Sequence, residues 1–208
     1  MSITLFGEIH WDSPWVLTAF VALREKGLAF DEQALDLSQG QQRAGAFLGK
    51  SLTARVPTLD VDGFVLSESL AIVEYLEERF PAPDYPRLLP ESREQRARAR
   101  QILNWLRTDL FALRRERPTT SVFFEPLTGP LSRDAQADAD KLIRVASHLL
   151  SGGRGTVFEA WSVVDADLAL TLSRLVANGD PVPPALATYT AEQWKRPSLA
   201  AYKSHERT

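Results

Sequence analysis

Cysteine is absent from this chain of 208 residues. That absence excludes structural disulfides, thiolate metal ligands and a cysteine nucleophile together. Histidine is scarce. His10, His148 and His205 stand far apart and form no HExxH or other ligand spacing, so metal catalysis is not expected and the expected metal site is none. No run of about 18 uncharged apolar residues occurs, which argues against a membrane span. The opening MSITLFGEIHW has no basic region followed by an apolar core. No secretory signal is therefore visible, and a cytoplasmic location is expected. Positive charge is not in excess either: 24 Lys and Arg against 27 Asp and Glu leave a net charge of −3. A nucleic-acid partner, which needs a basic surface, is disfavoured.

What remains is an ordinary soluble composition, 44% hydrophobic and 25% charged. The length suits two small domains or one of ordinary size. The first third alternates between periods. Residues 3–6 read as a strand. Ser13-Pro14 then opens a helix, since serine caps well and proline suits the first helical position. Val16, Leu17, Phe20 and Leu23 recur at helical spacing, and Gly27 is placed to end the helix. Residues 29–37 contain a second strand, and residues 38–50 carry little pattern.

The stretch ARVPTLDVDGFVLSESLAIVEYL is the most informative. Residues 58–61 and 64–67 are short, mostly apolar runs split by Asp62-Gly63, which supplies the positive φ angles of a tight hairpin turn. Pro57 cannot donate to a ladder, which confines it to a strand start or an edge. Ser67, Glu68 and Ser69 then precede Leu70, Val73 and Leu76, the stripe of an amphipathic helix. A helix start with hydroxyls and free N–H groups suits a small anion. Capping by Ser67 or Ser69 is the simpler alternative. The first 80 residues thus read as a βαβ unit followed by ββα, giving a four-stranded mixed sheet covered by helices.

FPAPDYPRLLP, with Pro81, Pro83, Pro86 and Pro90, reads as a stiff linker over residues 81–91. Beyond it only helical patterns appear, so residues 92–208 form an all-helical domain. Leu103, Leu106, Leu110 and Leu113 make one stripe, Leu142, Val145, Leu149 and Leu150 a second, and Leu168, Leu172, Leu175 and Val176 a third. Arg93, Arg96, Arg98, Arg100, Arg107, Arg114, Arg115 and Arg117 follow the linker and read as a solvated or dimer-contacting face. Ser162-x-x-Asp165 is a capping box with aspartate in place of the usual Glu or Gln, and reads as structural.

A Ser-Pro opening the first helix, a strand entered through Val-Pro, the block DGFVLSESLAIVEYLEERFP and an all-helical second half resemble the glutathione S-transferase family, in a bacterial, serine-type, cysteine-free form. The resemblance covers essentially the whole chain. It implies an α/β thioredoxin-like first domain over residues 1–80 and an all-α second domain. It also implies a cis bond before Pro57, Val56 offering its backbone to the cysteinyl part of glutathione, and Glu68 with Ser69 holding the γ-glutamyl end. The family often has Asn-Pro-x-Gly-Lys before Val-Pro. Here SLTARVP stands instead, which leaves Arg55 and Lys50 as candidates for the glycyl carboxylate.

In the serine-using branches, the position of Ser13 donates a hydrogen bond to the glutathione thiolate. A free thiol has a pKa of about 8.5, and lowering it by two units needs about 2.7 kcal/mol of thiolate stabilisation. A hydrogen bond to a charged group contributes roughly 1.5–3 kcal/mol and a helix N-terminus about 0.3–1 kcal/mol. The sum suffices without a formal base. The cysteine-free sequence excludes mixed disulfides with the protein and leaves thiolate attack on an electrophilic carbon or a peroxide oxygen. The implied protein is a dimeric glutathione transferase of the detoxifying kind, with glutathione as co-substrate and conjugating or peroxidase activity. The alternative is a non-catalytic binding protein on the same fold, as in stringent starvation protein A.

Overall fold

The computed structural model describes residues 1–207. Its first elements are β1 (Ile3–Glu8), α1 (Pro14–Glu25), β2 (Asp31–Leu35), α2 (Gly45–Leu48), β3 (Thr58–Val61), β4 (Phe64–Ser67) and α3 (Ser69–Arg79). The four strands form one mixed sheet in the order β2-β1-β3-β4. β1 and β2 run parallel, with Thr4 opposite Asp31, and α1 makes the crossover between them. β3 runs antiparallel to β1, and β4 antiparallel to β3. This is the βαβ-ββα arrangement expected. Asp62 (φ 52°) and Gly63 (φ 91°) make the hairpin turn, both in the positive-φ conformation that a two-residue connection needs.

Burial follows position in the sheet. β1 is buried along nearly its whole length, whereas DEQAL of β2 is largely exposed at the edge, where charged side chains discourage pairing with another chain. α1 contributes a continuous buried run from Val16 to Leu23, and α3 packs beside it through Ile72, Val73 and Leu76. The two helices are also tied at their ends. The fully buried Lys26 ammonium contacts Glu77 at 2.8 Å and the Phe80 carbonyl at 2.8 Å, so its charge is both paired and hydrogen-bonded. Residues 38–50 hold a 3-10 turn and α2. Their single buried side chain, Phe47, meets Phe6 edge-on at 5.5 Å, which explains the weak pattern there.

The chain divides by packing between Leu88 and Leu89, and the segment from Ala200 belongs with the first unit. The second unit is helical: α4 (Arg93–Thr108), α5 (Phe111–Glu116), α6 (Thr120–Phe123), α7 (Arg133–Leu149), α8 (Val163–Val176) and α9 (Pro184–Trp194), followed by α10 (Pro197–Lys203), which runs into the segment from Ala200. α8 is buried at almost every position and forms the centre of the second unit.

Two details differ from the sequence reading. Leu103, Leu106, Leu110 and Leu113 are all buried, but they do not share one helix. The Asp109 carboxylate takes the Leu110 N–H at 2.8 Å and the Trp105 indole N–H at 2.8 Å, offering the chain a local alternative to the helix. Leu110 then turns left-handed (φ 59°) and α5 begins. The arginine run is also not one solvated face. Arg93, Arg98 and Arg100 are exposed, but Arg107 bonds Asp167 at 2.6 Å and the buried Arg117 grips Asp180 at 2.7 and 2.9 Å. Among the described residues, no helix is long and apolar enough to cross a membrane.

Candidate functional site

Strand register gathers the expected site residues at one end of the sheet. Phe6 lies opposite Thr58 and Thr58 opposite Ser67, so the end of β1, the start of β3 and the end of β4 coincide. Three segments leave from there: the turn that carries Ser13 into α1, the loop through Lys50, Arg55 and Val56 into β3, and Ser67-Glu68-Ser69 into α3.

Ser13 is the N-cap of α1, with extended backbone (φ −68°, ψ 124°) and Pro14 at the first helical position. Its hydroxyl oxygen accepts the Val16 N–H at 3.4 Å, a long bond. Among the described residues no acceptor takes the hydroxyl proton. The backbone of the turn is held more firmly. Glu8 Oε1 accepts the N–H groups of Asp12 and Ser13, each at 2.9 Å. Burial pushes the Glu8 carboxyl above its ordinary range, the Ser13 N–H opposes the shift, and the Asp12 charge adds to it. Gly7 lets the turn and helix come close: a Cβ there would lie 3.0 Å from Val16 Cγ1 and 3.2 Å from the Trp11 ring. On the far side, the Tyr202 hydroxyl donates to the Ser13 carbonyl at 3.0 Å. Burial raises the Tyr202 phenol well above the usual range, so it stays a donor.

The Val56–Pro57 bond is cis, as the family resemblance implies. The preceding loop is fastened by hydroxyls. Thr58 Oγ1 donates to the Arg55 carbonyl at 2.7 Å and meets Ser51 Oγ at 3.0 Å, while Thr53 Oγ1 donates to Ser67 Oγ at 2.9 Å. Val56 is half-buried and Pro57 buried, whereas Arg55 and Lys50 are exposed. The Lys50 ammonium lies 3.9 Å from Asp60 and 5.9 Å from the Phe6 ring centre.

At α3 the N-cap is Glu68, exposed, at φ 73° and ψ 113°. An L residue in such a conformation costs on the order of 1–3 kcal/mol, and strain of this kind gathers at ligand sites. The Glu68 side chain makes no bond to the first turn. Ser67 is not the cap, since it lies one residue before the N-cap Glu68, and its hydroxyl accepts from Thr53. Ser69 is buried at the first helical position. The site therefore offers first-turn N–H groups for an anion, a carboxylate beside them for a cation, and at α1 a hydroxyl with a proton to give.

A profile of the glutathione S-transferase C-terminal domain matches residues 92–205, and one of the N-terminal domain matches residues 12–79. The chain belongs to the glutathione S-transferase family. Among solved structures, this family member is similar to a glutathione transferase homologue from Burkholderia gl BGR1 with bound glutathione. Identity there is 42%, over 97% of this chain and 96% of that one, with a TM-score of 0.82. It is also 34% identical over 103 residues to a maleylacetoacetate isomerase of Dictyostelium discoideum, covering 49% of this chain and 46% of the relative. Glutathione S-transferase theta-3 of Mus musculus is 33% identical over 91 residues, 44% of this chain and 37% of the relative. The chain thus spans less than half the length of these curated relatives.

Sequence reasoning missed three features around the candidate residues: Glu8, which holds the Ser13 turn, Tyr202, which bonds the Ser13 carbonyl, and the hydroxyls of Thr53, Thr58 and Ser67. An acidic residue closing an apolar strand just before Ser-Pro was a usable signal for Glu8. Tyr202 carried none, because it lies 189 residues from Ser13.

Proposed function

We propose that this protein is a glutathione transferase in which Ser13 stabilises the thiolate of bound glutathione. The observation that carries the reading is the Ser13 hydroxyl, held at the start of α1 with a long acceptor bond to Val16 and no acceptor for its own proton among the described residues. A hydroxyl so placed donates to a thiolate, and the helix N-terminus adds its positive potential. The Burkholderia homologue with bound glutathione supports glutathione as the ligand.

In this reading the γ-glutamyl carboxylate lies on the first-turn N–H groups of α3 with Ser69, and the Glu68 carboxylate takes the ammonium. Val56, before Pro57, bonds the cysteinyl backbone. Arg55 takes the glycyl carboxylate in preference to Lys50, whose ammonium lies near Asp60. In conjugation, a carbon–sulfur bond forms and the leaving group departs with its electron pair. In peroxide reduction, an S–O bond forms as the O–O bond breaks, and the alkoxide leaves with the electron pair and takes a proton. A second glutathione thiol then converts the resulting sulfenic acid to glutathione disulfide and water. The protein acts as a homodimer.

A second reading comes from the isomerase names among the curated relatives. Reversible addition of the thiolate to a conjugated alkene permits rotation about the former double bond, and elimination then restores the thiolate. The test is calorimetric titration with glutathione, followed by turnover assays with alkyl and aryl electrophiles, organic hydroperoxides and maleylacetoacetate. Glutathione binding with turnover of electrophiles or hydroperoxides supports the transferase reading, and turnover of maleylacetoacetate alone supports the isomerase reading. Binding without turnover favours the non-catalytic alternative, and absence of binding overturns the reading.

A further inference from the structure

The turn that delivers Ser13 is held by far more than a helix cap requires. Glu8 Oε1 takes the N–H groups of Asp12 and Ser13, the Tyr202 hydroxyl donates to the Ser13 carbonyl at 3.0 Å, and Arg207 donates to the Trp11 carbonyl at 3.0 Å. Tyr202 and Arg207 both come from the segment beginning at Ala200, which packs within the first unit. That segment is itself anchored. Tyr202 is fully buried, edge-on to Phe20 at 5.4 Å, and the His205 ring stacks on Trp11 at 4.1 Å while its Nε2 meets Glu32 at 2.8 Å. The Ser13 carbonyl that Tyr202 binds also receives the Leu17 N–H at 3.0 Å, so one oxygen ties the first turn of α1 to the far end of the chain.

We infer that Tyr202 and Glu8 are positioning residues for Ser13, gripping its carbonyl and its N–H so that the hydroxyl meets a bound thiolate at productive geometry. This rests on the role proposed for Ser13. A hydroxyl–thiolate bond weakens steeply as distance and angle drift, and a reactive group on a turn keeps its place only if its neighbours are fixed. The cap bond to Val16, at 3.4 Å, is too long to do that alone. The two side chains act on the backbone of Ser13 and not on the substrate.

Tyr202→Phe tests the grip, since it keeps the ring and removes only the donor. The readout is the ultraviolet absorbance of the glutathione thiolate, followed against pH with glutathione bound. The pKa of the bound thiol should rise, and turnover near neutral pH should fall roughly three- to tenfold with little change in KM for glutathione. Glu8→Ala should act in the same direction. Glu8→Gln, which keeps an oxygen for the two N–H groups, should restore most of the loss. Tyr189→Phe, a buried tyrosine of the second unit, serves as the control for mere destabilisation and should leave the thiol titration unchanged. In a Ser13→Ala background, Tyr202→Phe should have no further effect on the thiol. A thiol that shifts in Ser13→Ala but not in Tyr202→Phe or Glu8→Ala overturns the inference and leaves the role of Ser13 standing. A thiol that does not shift in Ser13→Ala removes that role, and the inference with it.

Discussion

Ser13 and Ser162 both begin helices, and the two starts are built in opposite ways. At α8 the serving carboxylate lies inside the helix. Asp165, fully buried, takes the Ser162 N–H at 3.0 Å, the Val157 N–H at 2.8 Å and the Tyr189 hydroxyl at 2.9 Å. Burial pushes its carboxyl up, and the N–H groups of Ser162 and Val157 oppose the shift. At α1 the serving carboxylate, Glu8, belongs to the preceding strand and binds the backbone of the turn, leaving the serine hydroxyl only a long bond to Val16. One start is closed on itself and the other keeps a donor in reserve. The same residue type is therefore closed into its own helix start in one place and keeps an uncommitted hydroxyl proton in the other, and the two starts differ in where the carboxylate comes from.

The largest effect should come from opening the closed start. Asp165→Ala leaves the Val157 N–H buried without an acceptor, at roughly 1–3 kcal/mol, leaves the Tyr189 hydroxyl only its 3.4 Å bond to the Asp165 carbonyl, and removes a cap worth about 1 kcal/mol. Urea unfolding should show a loss of roughly 2–4 kcal/mol. A loss under about 1 kcal/mol would reduce the box to an ordinary cap.

Next comes a third helix start, that of α3, where no side chain of the N-cap residue bonds the first turn. Ser69→Ala should weaken glutathione binding about ten- to hundredfold, as expected for one hydrogen bond to a charged group of roughly 1.5–3 kcal/mol. Calorimetric titration checks this, and equal affinities would assign Ser69 to packing alone.

The smallest effect is a drift with pH. The folded Glu8 carboxyl lies above the ordinary value of 4.5, with burial the chief cause. The folded state thus holds the Glu8 proton more tightly than the unfolded chain does. Stability from that preference is fully present below the unfolded value and is lost as pH rises through the folded one. Glu8→Gln does not titrate. The unfolding free energy of wild type minus that of the variant should therefore fall as pH is raised above 4.5 toward neutrality. A flat difference in urea titrations across that range would mean that Glu8 has the same pKa folded and unfolded.

Much of the framework was legible in the chain. Asp62-Gly63 announced the hairpin, Ser13-Pro14 the start of α1, and Ser162 with Asp165 the buried box, because each is a local signal whose chemistry acts within four residues. Where the structure departed, non-local packing or local competition decided. Residues 38–50 hang on one aromatic, Phe47, and show no period. The stripe through Leu110 keeps its apolar spacing across a helix break made by Asp109. The grip on Ser13 was illegible for a different reason. Tyr202 and Arg207 reach it from the opposite end of the chain, and nothing in their spacing points back to it.

The central claim is that the hydroxyl held in reserve at α1 stabilises a thiolate. Ser13→Ala tests it most directly, by the ultraviolet absorbance of bound glutathione titrated against pH in wild type and variant. Loss of a hydrogen bond of about 1.5–3 kcal/mol should raise the thiol pKa by roughly one to two units. Stability should fall by only about 1 kcal/mol, the worth of a cap. A variant in which bound glutathione titrates as in wild type would make Ser13 a cap like Ser162 and contradict the account.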